Sequence, residues 1–227
     1  MQQPGDVLER RTSADMVFDD LYERIGSLEL LPGAKISEAD IAAKFGISRQ
    51  PVRDAFSRLG NMELLLIRPQ KATVVKKFSL RSIATARFVR LSVELEVLRN
   101  AAALWDGSFD TAFKENLVAQ NAAFKAKDID AFHALDYEFH KQLCQVAKAD
   151  FAFDIISQNK ARVERLCVLS LTAEDGMLQL IKDHEVILEQ LRAKNADGVC
   201  DTIRLHLSRL DDTITDIHQA HASYFDT

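Results

Sequence analysis

The chain has 227 residues, 47% of them hydrophobic and 28% charged, with only 8 Gly and 4 Pro. That length holds one or two domains, and so few turn-formers predict a mainly helical protein. No apolar run approaches the roughly 18 residues that would cross a bilayer. The first 20 residues carry five acidic side chains and no apolar block, against a signal peptide. Cys144, Cys167 and Cys200 show no Cys-x-x-Cys spacing, which argues against a disulfide framework and makes the cytoplasm the expected compartment.

The net charge of −5 is unevenly spread. Residues 1–77 carry 12 Lys+Arg against 11 Asp+Glu, whereas residues 78–227 carry 17 against 23. Within 44–77 there are 8 basic and 2 acidic residues, the footprint of a small anion-binding module attached to something else. Two domains are therefore expected, 1–77 and 78–227.

In chain order, "MVFDDLYERIGSLEL" places apolar residues at 17, 18, 21, 25 and 28, a helical spacing. Pro32 and Gly33 end that helix. Ser37 is an expected N-cap, with Asp40 as its acidic partner, for the short helix "EADIAAKF" that stops at Gly46. A third helix starts at Ser48, tolerates Pro51 in its first turn and buries Val52, Ala55, Phe56 and Leu59. Two β-rich runs, "LLLIRP" and "ATVVKK", then predict a hairpin around Arg68-Pro69-Gln70-Lys71.

This order is that of a winged helix-turn-helix, whose second helix meets base edges with its N-terminal residues. Arg49, Gln50 and Arg53 occupy those turns, and arginine reads guanine bidentately as glutamine reads adenine. Ser48, Lys44 and Arg58 are expected at phosphates and Lys71 at the wing tip. For Lys44 and Arg58 a merely solvated charge fits equally. The stretch "LPGAKISEADIAAKFGISRQPVRDAFSRLGNMELL" resembles the DNA-binding domain of the GntR family of bacterial transcription regulators, with a resemblance covering about residues 12–77. The likeness implies double-stranded operator DNA as a partner.

After "VKKFSLRS", helices are expected near 79–104, 109–126, 129–147, 150–171, 174–194 and 196–222. Their short connections predict an all-α antiparallel bundle of about six helices. Asp136 and His140 fall one turn apart on the third, His184 midway along the fifth and His206 midway along the sixth. Facing helices can bring such groups to one point, as bundle metal sites do, but satisfied core histidines fit the spacing as well. His133 and Cys144, on the same helix, read as packing residues. On the first rear helix Arg87, Arg90 and Glu94 border the apolar stripe, where an Arg90–Glu94 surface ion pair is the plain reading.

Over about residues 79–222 the chain resembles the FCD-type ligand-binding domain of the FadR subfamily, with six helices nearest its VanR-type branch. On that resemblance "DYEFH", "DHEVIL" and "RLHLSRL" imply Asp136, His140, His184 and His206 as ligands of a divalent metal. Zinc comes first, with nickel, cobalt, manganese or iron as alternatives suited to imidazole and carboxylate donors. "RLSVE" matches a helix whose arginine faces the pocket, which implies Arg90 as the contact for a carboxylate effector, with Arg87 in reserve.

The expected protein is thus a cytoplasmic bacterial transcription regulator, a repressor acting as a homodimer. A metal ion and a small organic or sugar acid would modulate its grip on the operator. No catalytic residue and no membrane partner are expected. Two other classes remain: a metal-dependent enzyme fused to a DNA-binding domain, and a regulator that senses the metal itself. Against the enzyme, there is no nucleophile motif, Glu138 lies off the Asp136 face, and Glu185 is an acid beside a ligand with no obvious role as a base.

Overall fold

The computed structural model describes residues 11–69, 71–170 and 174–226. They divide into two compact units, one running to Phe78 and resuming at Ser223, the other Ser79–Ala222. The last residues therefore group with the first unit, where the sequence placed everything beyond 77 in the second. Gln70 of the expected hairpin turn, and 171–173 at the expected break before the fifth rear helix, lie outside the described residues.

In the first unit, α1 (Ser13–Gly26) opens on a reciprocal cap. Thr12 Oγ1 accepts from the Asp15 N–H, and the Asp15 carboxylate accepts from the Thr12 N–H, both at 3.1 Å. Val17, Leu21 and Ile25 form its buried face. After β1 (Lys35–Ile36), α2 (Glu38–Phe45) starts at Ser37, whose hydroxyl accepts from the Ala39 and Asp40 N–H groups. It ends at Gly46, whose φ of 64° is a left-handed conformation open to glycine without a Cβ clash. α3 (Arg49–Asn61) buries Val52, Ala55, Phe56 and Leu59 in the same core as the α1 face.

β2 (Leu65–Leu66) and β3 (Thr73–Val75) make the expected hairpin, with Leu65 opposite Val75. β1 pairs on the other side of β3, Lys35 opposite Val74, giving an antiparallel sheet of order β1-β3-β2. The third strand was not expected, because two residues are too few for alternation to show. The unit closes on its own ends. The Phe78 N–H donates to the Tyr224 carbonyl at 2.9 Å, the Asp226 N–H donates to the Phe78 carbonyl at 2.8 Å, and the Phe78 and Phe225 rings lie 5.4 Å apart.

The second unit is helical: α4 (Leu80–Leu104), α5 (Asp110–Ala126), α6 (Ile129–Val146), α7 (Phe151–Ser170), α8 (Glu174–Arg192), α9 (Ala196–Ser208) and α10 (Leu210–Ala220). α4 packs along α6, α7 and α9, while α5 and α9 flank α8. The core joins Leu98, Phe113, Phe139, Leu143, Leu191 and Ile203, and the Phe113 and Phe139 rings meet edge to face at 5.1 Å. The helix expected over 196–222 is two, broken at Arg209. There the Ser208 hydroxyl donates back to the Leu205 carbonyl at 2.8 Å, a bond that competes with the helix ladder, and Arg209 reaches Asp183. Among the described residues no helix is long and apolar enough to cross a membrane.

Candidate metal centre and nucleic-acid interface

Three pairs at i and i+4 supply most of the polar interior of the second unit. These are Arg90 and Glu94 on α4, Asn116 and Gln120 on α5, and Asp136 and His140 on α6, all six buried. The four-residue step stacks each pair on one helix face. α8 adds Asp183 and His184, and α9 adds His206. Asp136, His140, His184 and His206 each offer a ligand atom, and these atoms lie within 4.8 Å of one another. The four residues expected from the sequence are therefore brought together; His133 and Cys144 are not among them. Cys144 is buried, and burial pushes its thiol up to about 12, which leaves it protonated and inert as a ligand.

Each imidazole has a polar group behind it, and for His184 that group is a hydrogen-bonded amide. The Leu135 carbonyl accepts from Asn116 Nδ2 at 3.0 Å, which makes Asn116 Oδ1 the acceptor for Gln120 Nε2 at 2.6 Å. Gln120 then turns its Oε1 to His184 Nδ1 at 2.9 Å. An amide oxygen can only accept, so the proton sits on His184 Nδ1 and the Nε2 lone pair points away. His140 Nδ1 faces Glu94 Oε2 at 2.7 Å, and His206 Nδ1 faces Asp183 Oδ2 at 3.5 Å. Asp183 is itself gripped by Arg209, at 2.6 Å and 2.9 Å. Of the three, His184 Nδ1 makes a hydrogen bond, while His140 Nδ1 and His206 Nδ1 stand close to carboxylates without hydrogen-bond geometry. A carboxylate or amide behind the ring is the usual orienting partner of a metal-binding histidine.

His184 Nε2 is buried without a hydrogen-bond partner among the described residues, and it lies 3.3 Å from Asp136 Oδ1. A lone pair and a carboxylate oxygen at that distance repel unless a cation stands between them. These residues fit a divalent ion with imidazole and carboxylate donors. The Phe139 ring, stacked on His184 with centroids 4.1 Å apart, walls the other side.

Burial alone would raise the Asp136 carboxyl, but the Lys160 ammonium outweighs it and holds it well below the usual range. Glu94 is likewise held ionised despite burial, by the Arg90 guanidinium. Burial pushes His140 and His184 down, so both stay neutral with a lone pair to give. The Arg90–Glu94 contact, 2.6 Å from Nε to Oε1, is a buried pair rather than the surface pair its spacing suggested. Arg90 Nη2 also stands 3.2 Å from His140 Nε2, at the edge of the cluster. Arg87 turns instead to Asp211 and the Leu207 carbonyl. Arg90 lines a cavity of about 190 Å³ between α4, α7, α9 and α10, with Asn159 and Val163 opposite.

The sequence reading missed Lys160, Gln120, Asn116, Asp183 and Arg209. Lys160, on α7, is buried, bonds Asp136 Oδ2 and stands 3.7 Å over the Tyr137 ring. Asp183, directly before His184, was visible as an acid beside a ligand, but it serves His206.

In the first unit, Arg49, Gln50 and Arg53 are exposed on the opening turns of α3. Ser48 is the N-cap residue, yet its hydroxyl makes no capping bond. Gln50 bonds Asp54 at 2.9 Å, and Arg53 bonds Glu38 at 2.9 Å while staying half exposed. Lys44 and Arg58 are tied to α1, to Asp20 at 2.9 Å and Asp15 at 2.7 Å, and Arg58 lies over the Phe18 ring. Lys71 is exposed before β3, its N–H on the Arg68 carbonyl at 3.2 Å.

A winged helix-turn-helix in one unit and an all-helical second unit are the parts of a DNA-binding transcription regulator with a ligand-binding domain. The chain belongs to the GntR family of bacterial regulatory proteins, whose model matches residues 13–75, and it carries an FCD domain, matched over residues 86–209. It is similar to the HTH-type transcriptional repressor RspR of Escherichia coli strain K12, at 32% identity over 196 residues covering 86% of each chain. It is more distantly similar to the gluconate operon transcriptional repressor of Bacillus licheniformis, at 22% identity over 219 residues, 94% of this chain and 90% of that one. The structure of E. coli McbR/YncC shares the fold, with a TM-score of 0.70 at 20% identity over 92% of this chain and 99% of that one. The relatives are regulators, which sets aside the reading as an enzyme.

Proposed function

We propose that this chain is a cytoplasmic, metabolite-responsive repressor that binds a near-palindromic operator as a homodimer. A divalent metal held by Asp136, His140, His184 and His206, with Arg90 beside it, receives a small organic or sugar acid. The observation that carries this reading is the unpartnered, buried Nε2 of His184 facing Asp136 Oδ1, with its tautomer set through Gln120. When bound, the metal supplies a positive, Lewis-acidic anchor for a carboxylate. Arg90 adds a planar donor fork suited to the same group. Asp183 with Arg209, and Glu94 with Arg90, keep the imidazoles aimed.

The repressor names of RspR and of the gluconate operon relative support the sign of regulation, and the latter name supports a sugar acid. On the first unit, Arg49, Gln50 and Arg53 are the base-reading residues, Ser48 and Lys71 contact the backbone, and Lys44 and Arg58 exchange their α1 carboxylates for phosphates. One small module reads few bases, so two copies on half-sites a helical turn or a multiple apart are what specificity requires. Effector binding shifts operator affinity as a coupling free energy between the two sites.

The test is metal analysis of the full chain purified without chelator, joined to a thermal-shift screen of organic and sugar acids with and without zinc. About one divalent ion per chain, and an acid whose stabilising effect needs that ion, are expected. A chain that takes up no divalent ion defeats the metal reading. An acid that acts equally without metal defeats the proposed coordination.

A further inference from the structure

Every buried carboxylate around the cluster has its own cation. Glu94 is paired with Arg90 at 2.6 Å, Asp183 with Arg209 at 2.6 Å, and Asp136 with Lys160. Among the described residues these three acids and three bases cancel. A divalent ion at Asp136 adds two positive charges to that set, in which Arg209 alone is partly exposed. It also stands against the Lys160 ammonium, which is paired with the same carboxylate. Such a charge imbalance is expensive in a desolvated interior unless something anionic enters with the metal.

Building on the metal reading above, we propose that Lys160 is an effector-binding residue and that the effector is a dianion, a small dicarboxylic acid. One carboxylate lies on the metal and Arg90, and the other takes the Lys160 ammonium released from Asp136. One feature of the structure fits this division: Arg90 and Lys160 approach the cluster from different helices, α4 and α7, one beside His140 and the other on Asp136. Lys160 therefore has two opposed effects: it competes with the metal for Asp136 and it recruits the acid. A residue that merely supported the site would aid both.

The experiment uses the full chain and Lys160→Met, which keeps the length of the side chain and removes its charge, with Lys160→Arg as the charge-retaining control. Zinc affinity is read by competition with a chromogenic chelator. Binding of succinate, malate and butyrate to the zinc-loaded proteins is read by calorimetry. Wild type is expected to favour the two dicarboxylates over butyrate by about tenfold or more, the worth of one charge-assisted contact. Lys160→Met should lose that preference while binding zinc at least as tightly as wild type, and Lys160→Arg should keep the preference. Loss of zinc binding in a folded Lys160→Met, a preference that survives in it, or no preference in wild type overturns the assignment. Failure of wild type to bind zinc overturns the underlying metal reading, and this proposal with it.

Discussion

His184 Nδ1 lies 2.9 Å from Gln120 Oε1, and that contact decides which nitrogen of a buried imidazole is free. The decision originates at the Leu135 carbonyl, a backbone group with no freedom to flip, and passes through two side-chain amides. Removing the amide should cost metal affinity without touching a ligand. Gln120→Leu is predicted to weaken zinc binding by about 10- to 100-fold, the usual effect of losing an orienting partner. Chelator competition measures it, with circular dichroism to confirm the fold; unchanged affinity would remove Gln120 from the orienting role.

Metal should also register as stability. Zinc at about 100 times its dissociation constant is predicted to raise unfolding free energy by about 2.7 kcal/mol. His184→Ala should abolish that increment, and a chelator should reverse it in wild type. Denaturant titration of the two proteins, with and without zinc, reads the difference. An equal zinc increment in His184→Ala would show that the stabilising ion binds elsewhere.

The first unit makes an independent prediction. Arg49→Ala with Arg53→Ala should weaken specific operator binding by several kcal/mol, each bidentate base contact being worth about 1–3 kcal/mol, and leave zinc content unchanged. Lys71→Ala should weaken specific and non-specific DNA alike and flatten the salt dependence. Gel-shift titrations over a salt series separate the two. Specific binding that survives the double substitution would move base reading off α3.

Acid stability of the first unit should depend on Asp15. Its carboxyl is lowered from 3.8 to about 2 by the Thr12 hydroxyl and N–H and by Arg58. A depressed carboxylate stabilises the fold above its unfolded pKa and loses that contribution as pH falls through the folded one. Asp15→Asn should therefore lower the melting temperature at pH 7 and narrow its gap from wild type between about pH 4 and pH 2. A gap independent of pH would show that Asp15 acts through hydrogen bonding alone.

Three helices of the second unit end on lysine where glycine is usual. Lys127, Lys148 and Lys194 have φ of 57°, 53° and 53°, in the left-handed region that strains an L side chain. Lys194→Gly is predicted to stabilise the unit by about 0.5–1 kcal/mol, the relieved strain exceeding the added chain entropy. Denaturant midpoints would check it. A loss of stability would mean that the lysine's attraction to the helix C-terminus outweighs the strain.

Those endings bear on how much could be read from the sequence. Helix positions were legible because apolar periodicity and short polar breaks carry them, even where lysine replaces glycine at the ends. Asp136, His140, His184 and His206 were legible as residue types on facing helices. Their orienting partners were not, because each contact is tertiary: Gln120 and His184 are 64 residues apart, Lys160 and Asp136 are 24 apart. Nothing in "FDIISQNKARVE" distinguishes a buried lysine from a solvated one. The Arg90–Glu94 spacing by itself suggested a surface pair and the resemblance turned Arg90 inward; the pair is buried, and the apolar stripe of α4 alone does not reveal how wide its buried face is.

The pairing of Phe78 with Phe225 means that the first unit is not one continuous stretch of chain. Residues 223–226 return to it after the helical unit, and the Phe78 N–H and carbonyl bond Tyr224 and Asp226. A fragment that stops at Phe78 would leave that ring and both backbone groups without these partners, and should be less stable than the DNA-binding unit within the full chain.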